Sequence, residues 1–101
     1  MEQQERIKTM EALLDTARAA IDALNDALDG YEKVREGIDR LEEYYTGDDW
    51  RKDFEDDEAG CLPVTLKRGV LSEDGIYDLL EDDREVLVRL LETAADFLRR
   101  G

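Results

Sequence analysis

"QQERIKTMEALLDTARAAIDALNDALDGYEKVREGIDRLEEYY", residues 3–45, decides how this chain folds. Ile7, Met10, Leu14, Ala17, Ile21, Leu24, Leu28, Tyr31, Val34, Ile38, Leu41 and Tyr45 recur at steps of three and four residues. On a helix of 3.6 residues per turn that spacing lines one face, and its alternation is the heptad of helices that pair. One step is irregular, from Tyr31 to Val34, and losing a residue from a heptad locally alters the supercoil. Gly30 and Gly37 flank it, and each costs an exposed helix ~1 kcal/mol relative to alanine. Two helices broken at Gly30 would also fit. A single long helix with a bend there fits better, because no proline or turn cluster follows and the stripe continues.

Working downstream, Thr46-Gly47 ends this helix, with glycine just past the last apolar position. "GDDWRKDFEDDEAG", residues 47–60, holds seven acids around Trp50 and Phe54. Asp48 or Asp49 can cap a short helix over about residues 49–57. Trp50 and Phe54 are four apart and share a face, so they are expected to seat this helix while its acids point outward. Residues 59–70 are irregular, with Pro63, and Leu62, Val64, Leu66 and Val70 are spaced to tuck inward. Ser72 is the expected N-cap of a last helix, with Glu73 and Asp74 in its first turn. Ile76, Leu79, Leu80, Leu87, Leu90, Leu91, Ala94, Phe97 and Leu98 form its apolar stripe, interrupted at Asp83.

The expected fold is therefore all-α and a single domain over residues 1–101. A long N-terminal helix (1–45) packs antiparallel on a C-terminal helix (72–100), with a short acidic helix (48–58) and a tucked loop (59–71) between them. At ~1.5 Å per residue the first helix spans ~65 Å and the last ~40 Å. The shorter cannot cover the longer, and a partly bare apolar stripe predicts self-association, most simply a two-fold antiparallel homodimer within a helical bundle.

Composition narrows the chemistry. The chain has 101 residues, 42% hydrophobic and 42% charged, with 28 acids against 14 bases and a net charge of −14. That leaves room for one modest core. Such a surface repels phosphate and anionic lipid and attracts basic proteins, so direct binding to nucleic acid or a membrane is not expected; solubility alone would also explain the acidity. No apolar run approaches a spanning helix, and "MEQQERIKTM" has no signal-peptide core, so a cytoplasmic location is the expectation.

With no histidine and one cysteine, histidine-based triads, internal disulfides and multi-cysteine zinc sites are excluded. Cys61 has no evident base and is read as an incidental small residue. Carboxylates remain, in residues 48–58 and again at Glu73, Asp74, Asp78, Glu81, Asp82, Asp83 and Glu85. Asp74, Asp78 and Asp82 lie one turn apart, a spacing that can serve Mg²⁺ when facing helices add further oxygens. No EF-hand ladder, phosphate loop or nucleotide pocket accompanies them. No cofactor, metal site or catalytic residue is expected, and Lys67 and Arg68 are read as neutralising neighbouring acids.

The block "YYTGDDWRKDFEDDEAGCLPVTLKRGVLSEDGIYDLL", residues 44–80, resembles an uncharacterised bacterial family of small acidic proteins, domain of unknown function family forty-two ninety-eight. The matching pieces are Tyr44-Tyr45, Trp50, Asp53-Phe54, Asp57-Glu58, Gly60, Leu62-Pro63, Leu66 to Asp74, Tyr77 and Leu79-Leu80. The segment "IKTMEALLDTARAAIDALNDAL" is similar to the family's first helix. The resemblance supports the helical fold and carries no activity with it.

Three functional readings follow. The first is a non-catalytic protein–protein interaction module. Its surface is expected on Trp50, Asp53, Phe54, Asp56, Asp57 and Glu58 with Tyr77 and Asp78, or on the exposed apolar stripe, since aromatics carry interface energy. The second is an acidic mimic of nucleic acid, or immunity-type inhibitor, that blocks a basic protein partner with rows of carboxylates. The third and weakest is a carboxylate-metal nucleotide hydrolase, which needs convergent acids and a pocket.

Overall fold

The computed structural model describes residues 2–101. Helix α1 covers Gln3–Tyr45, α2 Asp48–Glu58 and α3 Gly75–Arg100, and a 3-10 turn over Gly69–Leu71 lies between α2 and α3. No strand occurs among the described residues, so the fold is all-α, with a long N-terminal helix and a C-terminal helix. α1 runs through Gly30 and Gly37 without a break. Packing divides the chain into two units, one through Glu36 and one over Gly37–Gly101.

The first unit is helix alone. Every residue from 2 to 27 is exposed, and Leu28, Tyr31 and Arg35 are half-buried. The ion pairs Lys8–Glu5 at 4.0 Å and Arg18–Asp22 at 3.5 Å lie one turn apart on its surface. Exposed pairs of this kind contribute a few tenths of a kcal/mol each. Arg35 Nη1 donates to Tyr31 Oη at 2.9 Å, one turn back.

The second unit has the core. Ile38 from α1, Leu71 from the 3-10 turn and Ile76 from α3 are its buried apolar side chains. Leu41 of α1 and Ile76 and Leu79 of α3 line the same cleft. The turn holds α2 and α3 together, because both pack on it.

The junction before α3 is tight. Ser72 Oγ donates to the Gly69 carbonyl at 2.9 Å and accepts from the Gly75 N–H at 3.0 Å. A Cβ at position 75 would lie 2.5 Å from the Gly69 oxygen and 2.6 Å from Ser72 Oγ. Only glycine permits that approach. Ser72 therefore does satisfy an amide at the helix start, as its residue type suggests. The helix itself begins three residues later than the sequence predicts, because Ser72, Glu73 and Asp74 form a turn that carries the chain from the 3-10 turn to Gly75.

Two further expectations are corrected. Neither Asp48 nor Asp49 caps α2; Gly47 holds the N-cap position without a side-chain bond, and both acids lie in the first turn, where the positive helix end still favours them. The inward tuck of the loop is also different. Val64 is 87% exposed, Leu66 and Val70 are exposed, and Leu71 takes the buried place, while Leu62 is half-buried. The Leu66 N–H bonds back to the Pro63 carbonyl, a turn that interrupts the alternation on which the tuck depended. α2 closes with Gly60 at φ +75°, its N–H on the Asp57 carbonyl and that of Cys61 on the Asp56 carbonyl. This double bond pattern is the glycine-dependent helix stop that satisfies two orphan carbonyls.

Candidate functional site

Two surfaces compete as the functional one: the ring-bearing acidic segment of the second unit and the apolar stripe of the first.

In the second unit, Trp50 stacks on Phe54 with centroids 5.1 Å apart and planes at 20°, and Tyr45 meets Trp50 edge-on at 5.0 Å and 69°. Such pairs add about 0.5–1.5 kcal/mol beyond area burial. Trp50 Nε1 donates to the Val70 carbonyl at 2.8 Å, tying α2 to the 3-10 turn. Tyr44 Oη donates to Asp53 Oδ2 at 2.6 Å, tying the end of α1 to α2. The Tyr44 phenol is pushed up to about 12 by burial first, and then by the Asp53 carboxylate that accepts its proton and by the Asp49 charge. Arg68 Nη1 pairs with Asp57 Oδ1 at 3.1 Å, both side chains about one third exposed or less.

The residues expected to form a binding surface thus divide. Trp50, Phe54, Asp53 and Asp57 are half-buried and bonded within the chain. Asp56 is half-buried as well, while Glu58, Tyr77 and Asp78 are exposed. The expectation that every acid of α2 faces outward does not hold for Asp53, Asp56 and Asp57, because Tyr44 and Arg68 supply inward partners for two of them. Neither partnership has a signature in spacing, since they join residues nine and eleven apart through a chain reversal. An open cleft of 440 Å³ lies beside this segment, lined by Leu41, Lys67, Val70, Ile76 and Leu79 among others. Among the described residues no group of three or more acids or cysteines is arranged to hold a metal ion. Cys61 is a free, exposed thiol. No helix among the described residues is long and apolar enough to cross a membrane.

The first unit offers a different kind of surface. Ile7, Met10, Leu14, Ile21 and Leu24 fall on the heptad stripe and are 49–60% exposed, as is the adjacent Leu13 at 57%. Large apolar side chains in a continuous row are what a monomeric soluble domain seldom leaves in water.

Comparison with curated proteins and with solved structures gives no match. A family model does match, over residues 7–93, which takes in the exposed stripe, the ring cluster and most of α3. The chain belongs to the family described as Domain of unknown function (DUF4298).

Proposed function

We propose that the chain is a non-catalytic protein–protein interaction module whose binding element is the apolar stripe on the N-terminal half of α1. The observation that carries this reading is the exposure of Ile7, Met10, Leu14, Ile21 and Leu24 along one helical face. An isolated helix is marginal in water, and most helical stability in proteins comes from packing an apolar face. A helix that presents anchors at heptad spacing is suited to a hydrophobic groove or a second helix. The rings of the acidic segment serve the reading indirectly, by fixing the second unit through Trp50, Phe54 and Tyr45.

The net charge of −14 has a supporting part: it disfavours nucleic acid and anionic lipid and speeds encounter with basic surfaces. The acidic-mimic reading draws on Asp48, Asp49, Glu55 and Glu58, all exposed on α2. The two readings differ in salt response. Apolar pairing holds or strengthens as salt rises, whereas carboxylates standing in for phosphates lose affinity. A cytoplasmic setting suits the exposed Cys61 thiol, which a reducing compartment preserves.

Photo-crosslinking in the source cell tests the proposal. A photoreactive residue replacing Met10 or Leu24 is expected to give protein adducts, and the same residue replacing Asp15 or Asp22 on other faces is expected to give few. Adducts of equal yield from all four positions, or none from the stripe, would contradict it.

A further inference from the structure

We infer that the occupant of the α1 stripe is a second copy of this chain, paired antiparallel about a two-fold axis between Asp15 and Thr16. The inference rests on the stripe being the binding element, and it adds the partner and the register.

Chain length argues against closure by the molecule's own α3. Leu41 and Ile76 line the same cleft. From that level, α3 has 24 more residues, to Arg100. Laid antiparallel along α1 for its whole length, it would reach no further than about residue 17, because both helices rise equally per residue. Ile7, Met10 and Leu14 lie beyond that point, and Leu91, Phe97 and Leu98 of α3 are themselves 62–80% exposed.

The heptad supplies the register. Ile7, Leu14 and Ile21 take one core position, Met10, Ala17 and Leu24 the other. An antiparallel pair sets each residue of the first kind against one of the second. With the axis between Asp15 and Thr16, Ile7 meets Leu24 of the second copy, Met10 meets Ile21, and Leu14 meets Ala17. On one flank, Leu13 faces the small Ala20. On the other, Glu11 faces Arg18, twice by symmetry. Arg18 is free to make that contact, because its pair with Asp22 is long and both side chains are over 60% exposed.

Charge selects the antiparallel direction. Residues 1–36 carry nine acids and five bases, a net −4, while 37–101 carry nineteen acids and nine bases, a net −10. Parallel pairing would bring the two strongly acidic second units to the same end. Antiparallel pairing over residues 7–24 makes the two chains leave the paired stretch at opposite ends, about 26 Å apart at ~1.5 Å per residue, several times the Debye length of ~8 Å. Closing Ile7, Met10, Leu13, Leu14, Ile21 and Leu24 removes on the order of 600 Å² per copy, and the flanking residues bring this near the ~800 Å² per partner of a standard stable interface.

Sedimentation equilibrium of the full chain at tens of micromolar is expected to give twice the 11.6 kDa of one chain; a single-chain mass overturns the inference. Glu11→Arg is expected to raise the dimer dissociation constant about threefold to tenfold, and Glu11→Arg combined with Arg18→Glu to return it to within about twofold. A double variant as weak as the single one contradicts the register. In a Cys61→Ser background, Ile7→Cys together with Leu24→Cys is expected to form interchain disulfides, and neither alone. Self-linking by each single cysteine would mean parallel pairing and would overturn the direction. A single-chain mass alongside crosslinking of the stripe to another protein would remove the dimer and leave the interaction reading standing.

Discussion

The same helix supplies two apolar rows with opposite fates. In the second unit, Ile38 is 8% exposed and shares the buried core with Leu71 and Ile76. In the first unit, Leu14 is 60% exposed and every residue from 2 to 27 is exposed. The residue types and spacing are alike in both, so the difference comes from what the rest of the chain can deliver. Beyond Gly37, the chain turns back at Gly47 and Gly60 and brings rings and a 3-10 turn to the helix. Before Leu28 the row stays exposed. Periodicity reports that a face wants cover; it does not report from which chain the cover comes.

The second unit is most vulnerable at Trp50. Trp50→Ala removes the stack on Phe54, the edge contact with Tyr45 and the bond to Val70, and should destabilise the second unit by about 3 kcal/mol. Urea unfolding followed by circular dichroism measures this, and a loss below about 1 kcal/mol would mean the rings do not anchor α2. Gly75→Ala drives a Cβ into the Gly69 carbonyl and Ser72 Oγ, at an expected cost of about 2 kcal/mol. The same denaturation shows it, and an unchanged midpoint would refute the close approach.

Tyr44→Phe should cost about 1–2 kcal/mol near neutral pH, since it removes a bond to a charged acceptor. The effect of this substitution also depends on pH. The Tyr44 phenol is raised from 10.0 to about 12 in the folded chain. A folded-state value above the unfolded one favours the protonated form, so the contribution is complete below pH 10 and is lost as pH rises toward about 12. The stability difference between wild type and Tyr44→Phe should therefore be flat up to pH 10 and shrink above it. A difference that grows with alkalinity would contradict the assignment. The smallest effect lies in α1. Gly30 and Gly37 have open space where a Cβ would go, so alanine at either should stabilise the helix by about 0.5–1 kcal/mol. A loss of stability at either position would reveal a contact that only glycine allows.

Much of the fold was legible because it rests on short-range periodicity. The step pattern from Ile7 to Tyr45 specifies α1, and the four-residue spacing of Trp50 and Phe54 places them on one face of α2. The unmatched helix lengths already signalled a bare stripe. What remained hidden depends on three-dimensional closure. Leu71 displaces Val64, Leu66 and Val70 from the interior because a turn at Pro63 resets the alternation. The late start of α3 follows from the approach of Gly75 to Gly69, which no local propensity encodes. The bonds Tyr44–Asp53 and Arg68–Asp57 draw acids inward that a helical wheel leaves in water. They also turn half of the expected ring-and-acid surface into internal scaffolding.

From Ile7 to Leu24, α1 presents an apolar face that the chain itself leaves exposed. Amide hydrogen exchange of the full chain, repeated across a hundredfold range of protein concentration, tests it most directly. Protection over residues 7–28 should rise with concentration while protection over residues 44–80 stays constant. Strong protection of residues 7–28 at the lowest concentration, unchanged at the highest, would show that the face is already buried within one chain and would contradict the account.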